Sequence, residues 1–67
     1  MERDLHLGGT IVYRNLFVKI IKCDDQSNVR VGYIKYKVYN DNNLIMVFSC
    51  KDDESPYQKY IENKSRY

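Results

Sequence analysis

Arg30, Tyr33, Lys35, Lys37 and Tyr39 interleave cations and aromatic rings within ten residues. On a β-strand, residues two apart share a face, so Tyr33, Lys35, Lys37 and Tyr39 line one side and Arg30 adjoins it. Such a surface binds by charge and by stacking. It suits an acidic protein surface, or the unstacked bases of a single-stranded nucleic acid. A second chemistry lies in two acidic groups, Asp24-Asp25 and Asp52-Asp53-Glu54. If these converge at one end of a sheet, they can hold a divalent cation or receive a basic partner. If they stay apart, they are solvated loop charges.

Little else in the chain points to reactivity. There is one histidine, His6, and no nucleophile elbow, phosphate-binding loop or His-Glu-x-x-His pattern. Acid–base catalysis needs two titratable groups held in a water-poor cleft, and 67 residues without long loops leave little room for one. Cys23 and Cys50 have neither a neighbouring cysteine nor a neighbouring histidine, so they lack the makings of a four-ligand zinc site. On flanking strands of a meander they sit too far apart for a disulfide. The expectation is a non-enzymatic protein with no cofactor, no metal and two reduced, half-buried thiols.

The apolar residues include six Val, six Ile, seven Tyr and two Phe, with no Ala and no Trp. β-Branched and aromatic side chains suit a pleated, half-buried surface, and the missing Ala removes the best helix former. The longest apolar run is five residues, Leu44 to Phe48, too short to span a bilayer or to form a secretory core. The net charge of +2 is too small to imply nucleic acid by itself. A soluble, cytoplasmic protein is the expectation. Lys, Asn, Asp, Ile and Tyr supply 32 of the 67 residues, a bias toward AT-rich codons shared with small phage and mobile-element proteins.

The elements that position these groups follow from periodicity and turn chemistry. Gly8-Gly9 punctuates the start, and Leu5 to Leu7 reads as a short edge strand or an arm. Thr10 to Tyr13 is a strand, Arg14-Asn15 a tight turn, and Leu16 to Cys23 a strand apolar on both faces, the alternative being one long strand from Thr10 to Cys23. Asp24 to Asn28 is a loop of turn formers. Val29 to Tyr39 then alternates with a change of phase, which places a β-bulge at Gly32-Tyr33. Asn40 to Asn43 turns the chain into a strand from Leu44 to Cys50. Ser55 caps a helix with Pro56 at its first position; Tyr57, Tyr60, Ile61 and Lys64 mark one face, with Tyr60 and Ile61 inward and the end near Arg66.

The fold class read from this pattern is α+β: an antiparallel β-meander of three to four strands, with a single C-terminal helix packed on one face, in one domain. One helix covers one face, so the other must be covered by residues 1 to 13, by a second copy or by a partner. The function expected is a small protein-binding module, of the phage or mobile-element accessory kind, that inhibits a host protein by occupying its surface. Its contacts are Arg30, Tyr33, Lys35, Lys37 and Tyr39, with the acidic edge of Asp24, Asp25, Asp52, Asp53 and Glu54. The alternative is a single-stranded nucleic-acid binder using the basic strand. A homo-oligomer fits either.

Overall fold

The computed structural model describes residues 2–65. Five antiparallel strands form one sheet in chain order: β1 (Arg3–Asp4), β2 (Gly9–Arg14), β3 (Val18–Cys23), β4 (Tyr33–Asn40) and β5 (Asn43–Lys51). A helix, α1 (Pro56–Lys64), follows. The class and the meander are as expected; the sheet has five strands where the sequence suggested three or four. The extra strand is the two-residue β1, in register as Arg3 to Thr10 and Asp4 to Gly9. Leu5 to Leu7, read as strand or arm, form part of the turn between β1 and β2. Residues 3–14 therefore extend the sheet sideways next to β3, and do not lie across its second face.

Turn chemistry sets the boundaries. Asn15 accepts hydrogen bonds through its side-chain oxygen from the N–H groups of Phe17 and Val18, at 2.9 and 2.8 Å. This Asx-type turn ejects Leu16, which is 92% exposed, and Phe17, so the strand expected from Leu16 begins at Val18. Asp41 and Asn42 both have positive φ, 52° and 65°, the signature of a type I′ hairpin turn between paired Asn40 and Asn43. Asn42→Gly should raise stability by about 0.5–1 kcal/mol, because glycine relieves the left-handed strain carried there by a side chain. A urea titration showing no gain, or a loss, would contradict that assignment.

The bulge expected at Gly32 is not formed. Tyr33 donates its N–H to the Arg30 carbonyl at 3.0 Å, and Gly32 has φ +86°, so Arg30 to Tyr33 is a type II turn with glycine in its obligatory third place. The phase change marks the start of β4, and Val29 and Val31 belong to the loop; Val31 is 97% exposed. Gln26 fastens this loop to the sheet. Its amide nitrogen donates to the carbonyls of Cys23 (2.7 Å) and Lys35 (3.2 Å), and its oxygen accepts from Lys35 N–H at 2.8 Å, so one side chain continues the β3–β4 ladder. Register shifts do occur elsewhere, between Ile11 and Tyr13 on β2 and opposite Val38-Tyr39 on β5.

The core lies between the sheet and α1. Val18, Ile20, Tyr36, Val38 and Cys50 from the sheet meet Tyr60 from the helix, flanked by Val12, Tyr13, Ile34, Met46 and Phe48. Ser55 caps the helix by accepting the Gln58 N–H, with Pro56 at its first turn. Tyr60 points inward as expected, but Ile61 is 38% exposed and does not join the core. A nine-residue helix presents little more than one inward position per turn, and here Tyr57 takes the neighbouring place by packing on Tyr13, ring centroids 4.5 Å apart. Arg66 and Tyr67, read as the helix end, lie outside the described residues.

Candidate functional site

Alternation along β4 decides the two faces. Ile34, Tyr36 and Val38 point to the helix, and Tyr33, Lys35, Lys37 and Tyr39 point to the opposite, open side. The four expected residues are thus brought onto one face, and all four are half-buried. Arg30 joins them from the type II turn, its guanidinium carbon 5.6 Å from the Tyr33 ring centroid.

Register supplies residues that sequence reading missed. Lys19 on β3 is opposite Tyr39, and Lys51 on β5 is opposite Tyr33. Both therefore share the open face, and both add charge to it. The signal that finds them is cross-strand pairing, which needs loop lengths and turn types before any residue can be aligned. The same register adds apolar side chains, with Ile11, Ile21 and Val47 in one row with Lys37 and Leu44 beside Tyr39, and polar ones, with Ser49 opposite Lys35 and Arg14 opposite Lys19. Ile21 is fully buried between Ile11 and Lys37, whereas Leu44 and Val47 are each 50% exposed.

Charge is unevenly distributed over the molecule. Lys19 pairs with Asp4 at 3.4 Å, and the Asp4 carboxyl is held below its usual range by the Leu7 N–H and, less strongly, by Lys19. Among the described residues, Arg30, Lys35, Lys37 and Lys51 have no carboxylate within 4.0 Å. The open face accordingly presents four cations without a salt-bridge partner around two tyrosine rings, with Asp25 acting on Lys35 and Lys37 from farther off.

The acidic residues follow β3 and β5, which flank β4 and run the same way, so both groups leave the sheet at one end. Each group is engaged locally. Asp24 pairs with Arg3 at 2.7 Å; Asp25 accepts the Ser27 N–H, which lowers its pKa; Glu54 accepts the Lys51 N–H at 2.9 Å. Asp52 and Asp53 occupy the turn after β5. Among the described residues no three His, Cys, Asp or Glu side chains are grouped to hold a metal ion.

Both cysteines are free and buried. Cys50 belongs to the helix-side core, while Cys23, opposite Gly9, falls on the open face near Lys35 and Lys37. Burial pushes both thiols up, and the two lysines only partly offset this at Cys23. Raised thiols are poor nucleophiles at neutral pH.

On the helix side an open groove of about 800 Å³ runs between α1 and the hairpin ends, lined by Tyr13, Phe17, Ile45, Met46, Tyr57 and Ile61 among others. Its titratable lining groups are Tyr13, Tyr57, Tyr60 and Lys64, and the nearby Tyr13 hydroxyl pushes the Tyr57 pKa up. No helix among the described residues is long and apolar enough to cross a membrane. Comparison of the chain with protein-family models, with curated proteins and with solved structures finds no match.

Proposed function

We propose that the protein is a non-enzymatic binding module whose open sheet face docks on an acidic surface of a folded protein. The observation that carries this reading is the composition of that face. Four cations outside any described salt bridge, Arg30, Lys35, Lys37 and Lys51, surround tyrosines 33 and 39 and the half-exposed apolar side chains of Leu44 and Val47. Aromatic, arginine and apolar side chains exclude water at the centre of an interface, and cations of one sign steer and orient an acidic partner. Action by occupation of the partner's surface needs no chemistry at the site. The AT-rich residue usage supports a phage or mobile-element accessory protein that inhibits a cytoplasmic host factor.

A single-stranded nucleic acid is the second reading, favoured by Arg30 lying over Tyr33 beside Lys35 and Lys37. Against it stands the spacing of the rings. Tyr33 and Tyr39 are six residues apart on β4, roughly 20 Å, with two lysines between them, so adjacent bases cannot stack on both.

The test is affinity capture from lysate with the wild type and with Lys35→Glu/Lys37→Glu. An acidic protein captured by the wild type should bind the double variant at least tenfold more weakly, a difference of about 1.4 kcal/mol. A titration with single-stranded oligonucleotides runs in parallel. If no protein is lost on charge reversal, and the oligonucleotide binds with a steep salt dependence, the protein-docking reading falls and the nucleic-acid reading replaces it.

A further inference from the structure

The open face is not the only unpartnered feature. The two edges of the sheet differ sharply. One edge is β1, two residues long, with both side chains charged and engaged: Arg3 with Asp24 and Asp4 with Lys19. The other edge is β5, nine residues long, with no proline or glycine and one charge, Lys51, at its end. Natural sheets guard such an edge with lysines, prolines, short strands or a covering segment. The register shift near Ile45 is the one such device on β5, and it leaves Met46 to Lys51 in unbroken pairing with β4.

Nothing in the described chain uses the outer edge of this stretch. Apart from Lys51, whose N–H donates to the Glu54 carboxylate and whose carbonyl accepts the Glu54 N–H, no described side chain or loop hydrogen-bonds the β5 backbone on that side. The helix lies against the core face of the sheet, with Tyr60 in the core and β5 as its nearest strand, and makes no described hydrogen bond to the β5 backbone. A row of unpaired N–H and C=O groups is satisfied best by another strand. The flanking apolar side chains, Ile45 and Val47, are half exposed and would be covered by the same event.

We infer that β5 pairs antiparallel with β5 of a second copy, closing a two-fold dimer with one continuous ten-stranded sheet. Two features select a second copy. Antiparallel self-pairing about an axis near Val47 sends the two Lys51 residues to opposite ends, so no like charges face one another. The short, charged β1 cannot accept β5 head to tail, so growth stops at two and no filament forms. The inference is independent of the proposed docking function, although it would set two copies of the open face side by side.

Sedimentation across micromolar concentrations tests it. The wild type should reach twice the 8.0 kDa chain mass, and the amides of Val47 and Ser49, which alternate with those bonded to β4, should resist hydrogen exchange only in the dimer. Val47→Lys puts a charge on the paired edge and should yield a folded monomer with those amides exposed; Leu5→Lys, at the far end of the sheet, should remain dimeric. If Val47→Lys does not fold, Ser49→Glu on the same strand makes the same demand. A wild type that stays monomeric throughout, or a dimer that survives both folded β5 variants, overturns the inference. Protection of the β5 edge only when a different protein is added overturns self-pairing as well.

Discussion

Gly9→Ala should be the most damaging single-methyl change in the molecule, lowering stability by about 3 kcal/mol. Gly9 opens β2, opposite Cys23 on one side and Asp4 on the other, and it is buried. A β-carbon at this position would overlap the Lys22 carbonyl oxygen and the Ile21 side-chain methyl. The first is backbone inside the β2–β3 ladder, and the second belongs to a side chain with no exposed surface, so neither has room to retreat. A domain of this size holds only about 3–5 kcal/mol in reserve, so the substitution should leave a large unfolded fraction. In a thermal melt followed by circular dichroism, a 3 kcal/mol loss corresponds to a midpoint shift of roughly 15 °C. Gly8→Ala is the informative control. Gly8 has φ +74° with nothing near its missing side chain, so its cost is conformational alone, about 1 kcal/mol. If the two variants melt together, steric closeness at Gly9 is not what glycine supplies.

Tyr60→Ala should detach the helix and, at a cost matching the domain's reserve, leave much of the chain unfolded. Tyr60 is the one residue of α1 in the buried core, where it meets Val18, Ile20, Tyr36, Val38 and Cys50. Its Lys64 neighbour lies 5.9 Å from the ring, and the Tyr57 ring is tilted against it at 6.4 Å, so truncation also loosens the rest of that face. Removing a large buried aromatic side chain costs about 3–5 kcal/mol. A nine-residue helix is far below the length that is stable unsupported in water, so the released segment should unfold instead of floating free as a helix. Far-ultraviolet dichroism should lose its helical component, while Tyr60→Phe, which keeps the ring, should retain it. Full helicity in Tyr60→Ala would show that the Ser55 cap and the Tyr13–Tyr57 contact hold the segment without Tyr60.

These two residues show what could and could not be seen in the chain alone. Tyr60 was legible, because Tyr57, Tyr60 and Lys64 recur at helical spacing after a serine cap and a proline. The Gly8-Gly9 pair was legible only as punctuation: that one glycine is needed for conformation and the other for closeness depends on which strand passes beside it. The β4 face was readable directly, since period two places Tyr33, Lys35, Lys37 and Tyr39 together whatever the neighbouring strands do. Lys19 and Lys51 were not readable, because their place on the same face is a property of register. At Gly32 two physical devices leave the same trace. A bulge inside a strand and a type II turn before it both shift the alternation by one, and the hydrogen bond from Tyr33 to Arg30 is what separates them. Leu16 and Phe17 misled for the opposite reason: their side chains are apolar, but Asn15 claims the local backbone donors and turns both residues out to solvent.

The burial of the two thiols has a use beyond packing. Cys23 sits on an interior strand and Cys50 on an edge strand, each shielded and each unreactive while its strand is closed. Modification of either one therefore waits for its own strand to open, and the protein carries two built-in clocks for local unfolding. One times the middle of the sheet and the other its rim. A ligand on the basic side should slow the first clock, whereas anything that seats against the rim should slow the second, so the two labelling rates report separately where a bound molecule lies.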